Sequence, residues 1–73
     1  MYESGEDVEL EVNGVWIPAI IKVVSKHGMR ARDGSYVSYT VEGNTRHPNY
    51  PRTVPYGPFS NVTSNRLRKA SML

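Results

Sequence analysis

Asp7-Val8-Glu9-Leu10-Glu11-Val12-Asn13-Gly14-Val15-Trp16-Ile17-Pro18-Ala19-Ile20-Ile21-Lys22-Val23-Val24 reads as two β-strands joined by a tight turn. Val8, Leu10 and Val12 alternate with Asp7, Glu9 and Glu11, the period of a strand with one wet face. Asn13-Gly14 supplies two residues that tolerate positive φ, which a type I′ hairpin demands. The second strand, about 15–24, is apolar on both faces, so it is expected to lie centrally in a small closed sheet. Its inward face is assigned to Val15, Ile17, Ala19, Ile21 and Val23. Trp16, Pro18, Ile20, Lys22 and Val24 face the other way. Pro18 has no ladder donor, which requires an edge, a bulge or a bend on its side of the strand.

Outward from this hairpin the signals weaken. Residues 1–6 form a polar lead-in with Gly5 at the entry to strand one. A polar break at Ser25 to Gly28 precedes a short third strand at Met29 to Arg32, and Asp33-Gly34 is a second turn signal. Residues 35–42 are rich in β-branched and aromatic side chains and form the fourth strand, with Val37, Tyr39 and Val41 on one face. From about 44 to 58 the chain carries Pro48, Pro51, Pro55 and Pro58, which push the residues before them toward extended backbone and exclude helix. Such a loop is long for so small a domain, and Tyr50 and Tyr56 within it, with Phe59 just beyond, argue against disorder. We expect these aromatics to cover an open end of the sheet. A fifth strand near Asn61 to Thr63 leads into a single turn capped by Ser64, and residues 69–73 are expected to fray.

The 73 residues make one domain, spanning 1–73. At this size folding buries about 60% of the unfolded chain's surface, so stability is slim. The absence of cysteine removes disulfides and thiolate metal sites and is consistent with a reducing, intracellular compartment, cytoplasmic or nuclear. No apolar run is long enough to span a bilayer, and no secretory signal is read at the start, so no membrane partner is expected. The net charge of +2 is uneven. Every acid lies before residue 44, whereas Arg46, Arg52, Arg66, Arg68 and Lys69 follow with none among them. Such asymmetry marks either a surface for phosphates or two groups of charges that neutralise each other in the folded chain.

Catalytic chemistry is not legible. His27 and His47 sit in polar loops without companion ligands, and Asp7, Glu9 and Glu11 on one strand face lack the loop geometry of a calcium site. Phosphate-binding glycine loops and nucleophile elbows are missing. Asn61-Val62-Thr63 fits a glycosylation acceptor pattern that is short enough to occur by chance. Neither enzymatic activity, a cofactor nor a metal is expected.

Gly5-Glu6-Asp7, then Gly14-Val15-Trp16-Ile17-Pro18-Ala19, then the tyrosine-bearing stretch Tyr36 to Gly43 with Asn44, then Asn61 to Arg68, follow one another in an order that resembles the Tudor and Agenet group of SH3-like barrels. The resemblance covers most of residues 5–69 apart from the proline-rich insertion. It implies an all-β, five-stranded SH3-like barrel with a long proline-rich loop and a short 3-10 turn near the C-terminus. Those domains hold methylated lysine or arginine in an aromatic cage, which needs several ring faces around the cation. The four cage positions fall on Val12, Ile17, Tyr39 and Glu42, with a neighbouring asparagine at Asn44. Only Tyr39 is aromatic, so the standard cage is degenerate unless Trp16, Tyr36, Tyr50 or Tyr56 rebuilds it.

Three functions compete. A module that docks an extended arginine- or lysine-rich peptide would use Trp16, Tyr39, Glu42 and Asn44, with Asp7, Glu9 and Glu11 favouring a basic ligand. A nucleic-acid binder would set Arg46, Arg52, Arg66, Arg68 and Lys69 on phosphates and stack bases on Tyr50 and Tyr56. A structural adaptor would oligomerise through an exposed edge strand. Trp16 itself is expected either to stack on a ligand or to pack under the long loop. The sequence leaves the oligomeric state open.

Overall fold

The computed structural model describes residues 2–26 and 37–70. Five antiparallel strands form one sheet: β1 (Asp7–Val12), β2 (Val15–Lys26), β3 (Val37–Gly43), β4 (Phe59–Val62) and β5 (Leu67–Lys69). Their order is β4-β3-β2-β1-β5. The expected strand at 29–32, the Asp33-Gly34 turn, His27, Tyr36 and residues 71–73 lie outside the described residues.

The hairpin forms as the sequence dictates. Asn13 and Gly14 take φ of 51° and 85°, and the Gly14 N–H donates to the Glu11 carboxylate at 2.5 Å. The turn sets the register Leu10↔Ile17 and Glu9↔Pro18, which stacks Val8 and Leu10 with Ile17 and Ala19 on the core face. Pro18 lies one residue before β2 begins to pair with β3 at Ala19↔Gly43. Its nitrogen therefore faces a stretch with no ladder to join, and its carbonyl accepts from the Asn44 N–H at 2.9 Å.

Val15 and Val23, both assigned inward by alternation, are half exposed at 49% and 50%. Val15 sits at the turn, beyond the reach of the core. Between Ile21 and Val23 the β2–β3 register shifts, because Lys22 is an extra residue opposite no partner. The bulge inverts the alternation, turning Val23 out and Val24 in, where Val24 packs against the core opposite Tyr39. A second irregularity lies in β4, where Tyr39↔Val62 and Val41↔Phe59 leave one residue too many on β4. Asn61 absorbs it at φ 57°, a left-handed conformation that asparagine accepts more readily than most residues.

Val8, Leu10, Ile17, Ala19, Ile21, Tyr39, Val41, Val62 and Leu67 make up the buried apolar core. Tyr2, read only as part of a polar lead-in, packs against it. Its ring meets Tyr39 edge-on at 5.7 Å, its N–H donates to the Tyr39 hydroxyl, and its own hydroxyl donates to the Leu67 carbonyl.

The closed barrel expected from the sequence is an open sheet. β4 and β5 are its two edges, and among the described residues no ladder joins them. A 3-10 turn, Ser64–Arg66, links them, while Val62 and Leu67 at its two ends are both buried. The edges are thus held by a short link and shared side-chain packing, so the sheet bends around the core without closing. Thr63 rather than Ser64 occupies the cap position, and no side chain caps the turn; the Thr63 hydroxyl is engaged by the Asn65 side-chain oxygen instead. The last strand runs to Lys69, so the chain stays paired into the segment expected to fray.

Residues 44–58 form neither helix nor strand. The Gly43 N–H donates to the Tyr56 carbonyl at 2.8 Å, and the Tyr50 hydroxyl donates to the Pro55 carbonyl at 3.1 Å. Tyr50, Val54 and Phe59 pack against the core, whereas Tyr56, expected to cover the sheet with them, is exposed. Among the described residues no helix is long and apolar enough to cross a membrane.

Candidate functional site

The outer face of the sheet is where the polar halves of the strands meet. Glu9 and Glu11 of β1 stand opposite Pro18 and Trp16 of β2, and Arg68 of β5 stands opposite Glu9 on the other side. Opposite residues in antiparallel strands share a face, so these side chains form one continuous surface. The Arg68 guanidinium lies over the Trp16 ring, 4.2 Å from its centroid, and its Nε is 2.5 Å from the Glu9 carboxylate. Trp16 is therefore not in the core, and it shares a groove with residues of the long loop. It is half-buried beneath a cation supplied by the chain's own last strand.

Beside this stack runs a groove of about 620 Å³. Trp16 and Pro18 give it an apolar floor, Asp7 and Glu9 an acidic wall, and Asn44, His47 and Asn49 the opposite rim. Local hydrogen bonds build that rim. The Asn44 side-chain oxygen accepts from the Arg46 N–H, and its carbonyl accepts from the His47 N–H. The His47 Nδ1 then accepts from the Asn49 N–H. Asparagine followed by a turn is the reason the chain folds back here, because the Asx side chain mimics a backbone turn. The Asn44 N–H bond to Pro18 fixes this rim to the floor.

Of the four residues expected to bind a peptide, Trp16 and Asn44 line the groove. Glu42 is next to it on the same outer face, opposite Ile20, with its carboxylate 3.6 Å from Lys22. Tyr39 does not belong to the site: at 2% exposure it is core, with no ring face open to a ligand. Ile17 is likewise fully buried and Val12 packs against the core, so the four cage positions do not converge on a surface. Pro18, His47 and Asn49 were not expected at a docking site: the sequence marks Pro18 as a bend and His47 as an isolated imidazole. The pairing of Glu9 with Pro18 was readable from the hairpin, but the return of residues 44–49 over it was not.

The five C-terminal cations do not act as one patch. Arg66 donates from Nε and Nη2 to the Glu11 carbonyl at 3.2 and 2.9 Å and lies 3.6 Å from the Glu11 carboxylate. Arg68 is paired with Glu9, and Lys69 approaches Glu6 at 3.5 Å. Arg46 and Arg52 are exposed on the 44–58 connection. Tyr50 is half-buried, and burial pushes its phenol above the ordinary range. Tyr56 is the one exposed tyrosine among the described residues. Among those residues no cluster of three or more His, Asp or Glu side chains is placed to hold a metal.

No protein-family model matches the chain, and neither curated proteins nor solved structures yield a match. What defines the molecule is its architecture: an open five-stranded antiparallel sheet with an acidic, tryptophan-floored groove on its outer face.

Proposed function

We propose that the chain is a non-catalytic interaction module whose outer-face groove docks an extended, basic segment of a protein partner. The groove carries this reading. It joins an apolar floor at Trp16 and Pro18 to an acidic wall at Asp7 and Glu9, with amide groups of Asn44 and Asn49 available across from them. A basic peptide lying in it would bury apolar area on the floor and meet opposite charge on the wall, a complementarity that sets register and partner choice. The SH3-like, Tudor-like identity of the fold is part of the proposal. It is supported by the long bulged second strand, the tyrosine-bearing third strand ending at Gly43, and the 3-10 turn before the last strand. Recognition of a methylated side chain at Val12, Ile17, Tyr39 and Glu42 is not part of it, because three of these four pack in or against the core.

The test is an amide-shift titration with lysine- and arginine-containing peptides, an acidic peptide and a DNA duplex. The reading expects shifts at Asp7, Glu9, Asn44 and the Trp16 indole with the basic peptides alone. Trp16→Ala should weaken that binding by about tenfold or more while leaving the core resonances in place, since a buried aromatic anchor carries a large share of an interface. Shifts centred on Arg46 and Arg52 with the duplex, fading between about 50 and 200 mM salt, would replace this reading with the nucleic-acid one.

A further inference from the structure

Arg68 stands where a ligand's cation would bind best. Two groups that recognise a guanidinium converge on it, the face of Trp16 at 4.2 Å and the Glu9 carboxylate at 2.5 Å. Both also line the docking groove. We propose that Arg68 covers a guanidinium seat formed by Trp16 and Glu9 at the edge of the groove, and that a partner's arginine side chain, reaching from the groove, takes that seat by exchanging with it. The inference rests on the docking reading above and adds what regulates that site and which basic residue it selects.

Arg68 is suited to leave, whereas Arg66 is not. Its side chain is 54% exposed, on an edge strand of three residues. It makes no hydrogen bond to the main chain among those seen. Arg66, by contrast, is tied twice to the Glu11 carbonyl and braces the 3-10 turn against β1. Among the described residues Lys69 makes only a long contact to Glu6, with its side chain 84% exposed, and touches no ring. Swinging Arg68 into solvent therefore uncovers one ring face and one carboxylate while the Leu10↔Leu67 pairing and the Arg66 anchor hold β5 in place. The seat prefers arginine to lysine, because a planar guanidinium can stack on the indole and present an N–H to Glu9 at once, whereas an ammonium is a point charge.

An occupant held by one exposed cation–π contact and one exposed ion pair blocks its seat by about a factor of ten. An incoming ligand's affinity is reduced in proportion to the fraction of molecules whose seat is empty, here about one in ten. The experiment titrates a Gly-Arg repeat peptide and a Gly-Lys repeat peptide into the wild-type chain and into Arg68→Gln, Arg68→Lys and Arg68→Ala. Trp16 fluorescence and the amide shifts of Val8 and Leu10, which pair with β5, are followed together. The expected result is that Arg68→Gln and Arg68→Ala bind the Gly-Arg peptide about five- to tenfold more tightly than wild type. Arg68→Lys should fall between, and the gain for the Gly-Lys peptide should be smaller. If the wild type binds with shifts at Asp7, Trp16 and Asn44 but no Arg68 variant binds more tightly, the exchange is wrong and the docking groove stands. If neither peptide shifts these residues in any of the four proteins, the groove reading falls and this inference with it. A variant that loses the Val8 and Leu10 shifts has lost β5, and Arg68→Lys, which keeps the strand and the charge, then decides.

Discussion

Tyr39 is the largest fully buried side chain of the core, and its hydroxyl receives the Tyr2 N–H. Replacing it with alanine leaves a cavity between Val24 and Val62, its neighbours across the sheet on either side. Tyr39→Ala should lower the free energy of unfolding by about 3–5 kcal/mol. That is comparable to the whole stability of a small domain, and urea unfolding will measure it. Tyr39→Phe removes only the hydrogen bond and should cost about 1 kcal/mol. Alternation in the sequence already placed Tyr39 on a face with Val37 and Val41. The resemblance to a cage-bearing family pulled the same residue toward the surface. The two readings could not be separated until the partners of β3 were known, because a ring in a strand looks the same whether water or Val62 lies above it.

At the scale of elements, β2 explains most of what the hairpin foretold and most of what it could not. Residues 16–21 obey strict alternation, so Ile17, Ala19 and Ile21 were legible as core. The bulge at Lys22 has no compositional signature, and a single extra residue was enough to exchange Val23 for Val24. The β3 end was equally hidden. Gly43 is buried, and a Cβ built there would lie 2.3 Å from the Tyr50 hydroxyl and 2.7–2.8 Å from its ring carbons. The glycine is therefore what lets the 44–58 connection press its tyrosine against the sheet. Gly43→Ala should displace Tyr50, with a stability loss of about 1–3 kcal/mol from overpacking. Limited proteolysis after Arg46 and Arg52 would report the loosened connection. Unchanged stability and unchanged cleavage would mean that Tyr50 does not fasten this segment.

For the whole molecule, the division of charge along the chain does not survive folding. β5 pairs beside β1, so the basic end of the sequence lies against the acidic beginning, with Arg66, Arg68 and Lys69 facing Glu11, Glu9 and Glu6. That adjacency joins residues separated by most of the chain, and no local pattern announces it. Arg46 and Arg52 are left without such partners among the described residues, so duplex DNA bound at the 44–58 connection should show a salt dependence of about two phosphates' worth. A slope near five phosphates in an affinity-versus-salt series would mean that the ion pairs of β5 open on binding. The same three-dimensional arrangement governs how copies of the chain meet one another. One rim of the sheet is three residues long and carries Arg68 and Lys69, and the other is broken by the left-handed Asn61. Among the described residues neither rim offers a straight, uncharged row of peptide groups for a neighbour's strand to extend. The residue that sends both Phe59 and Val62 inward thus also interrupts the row of peptide groups on which a fibril's strands would stack.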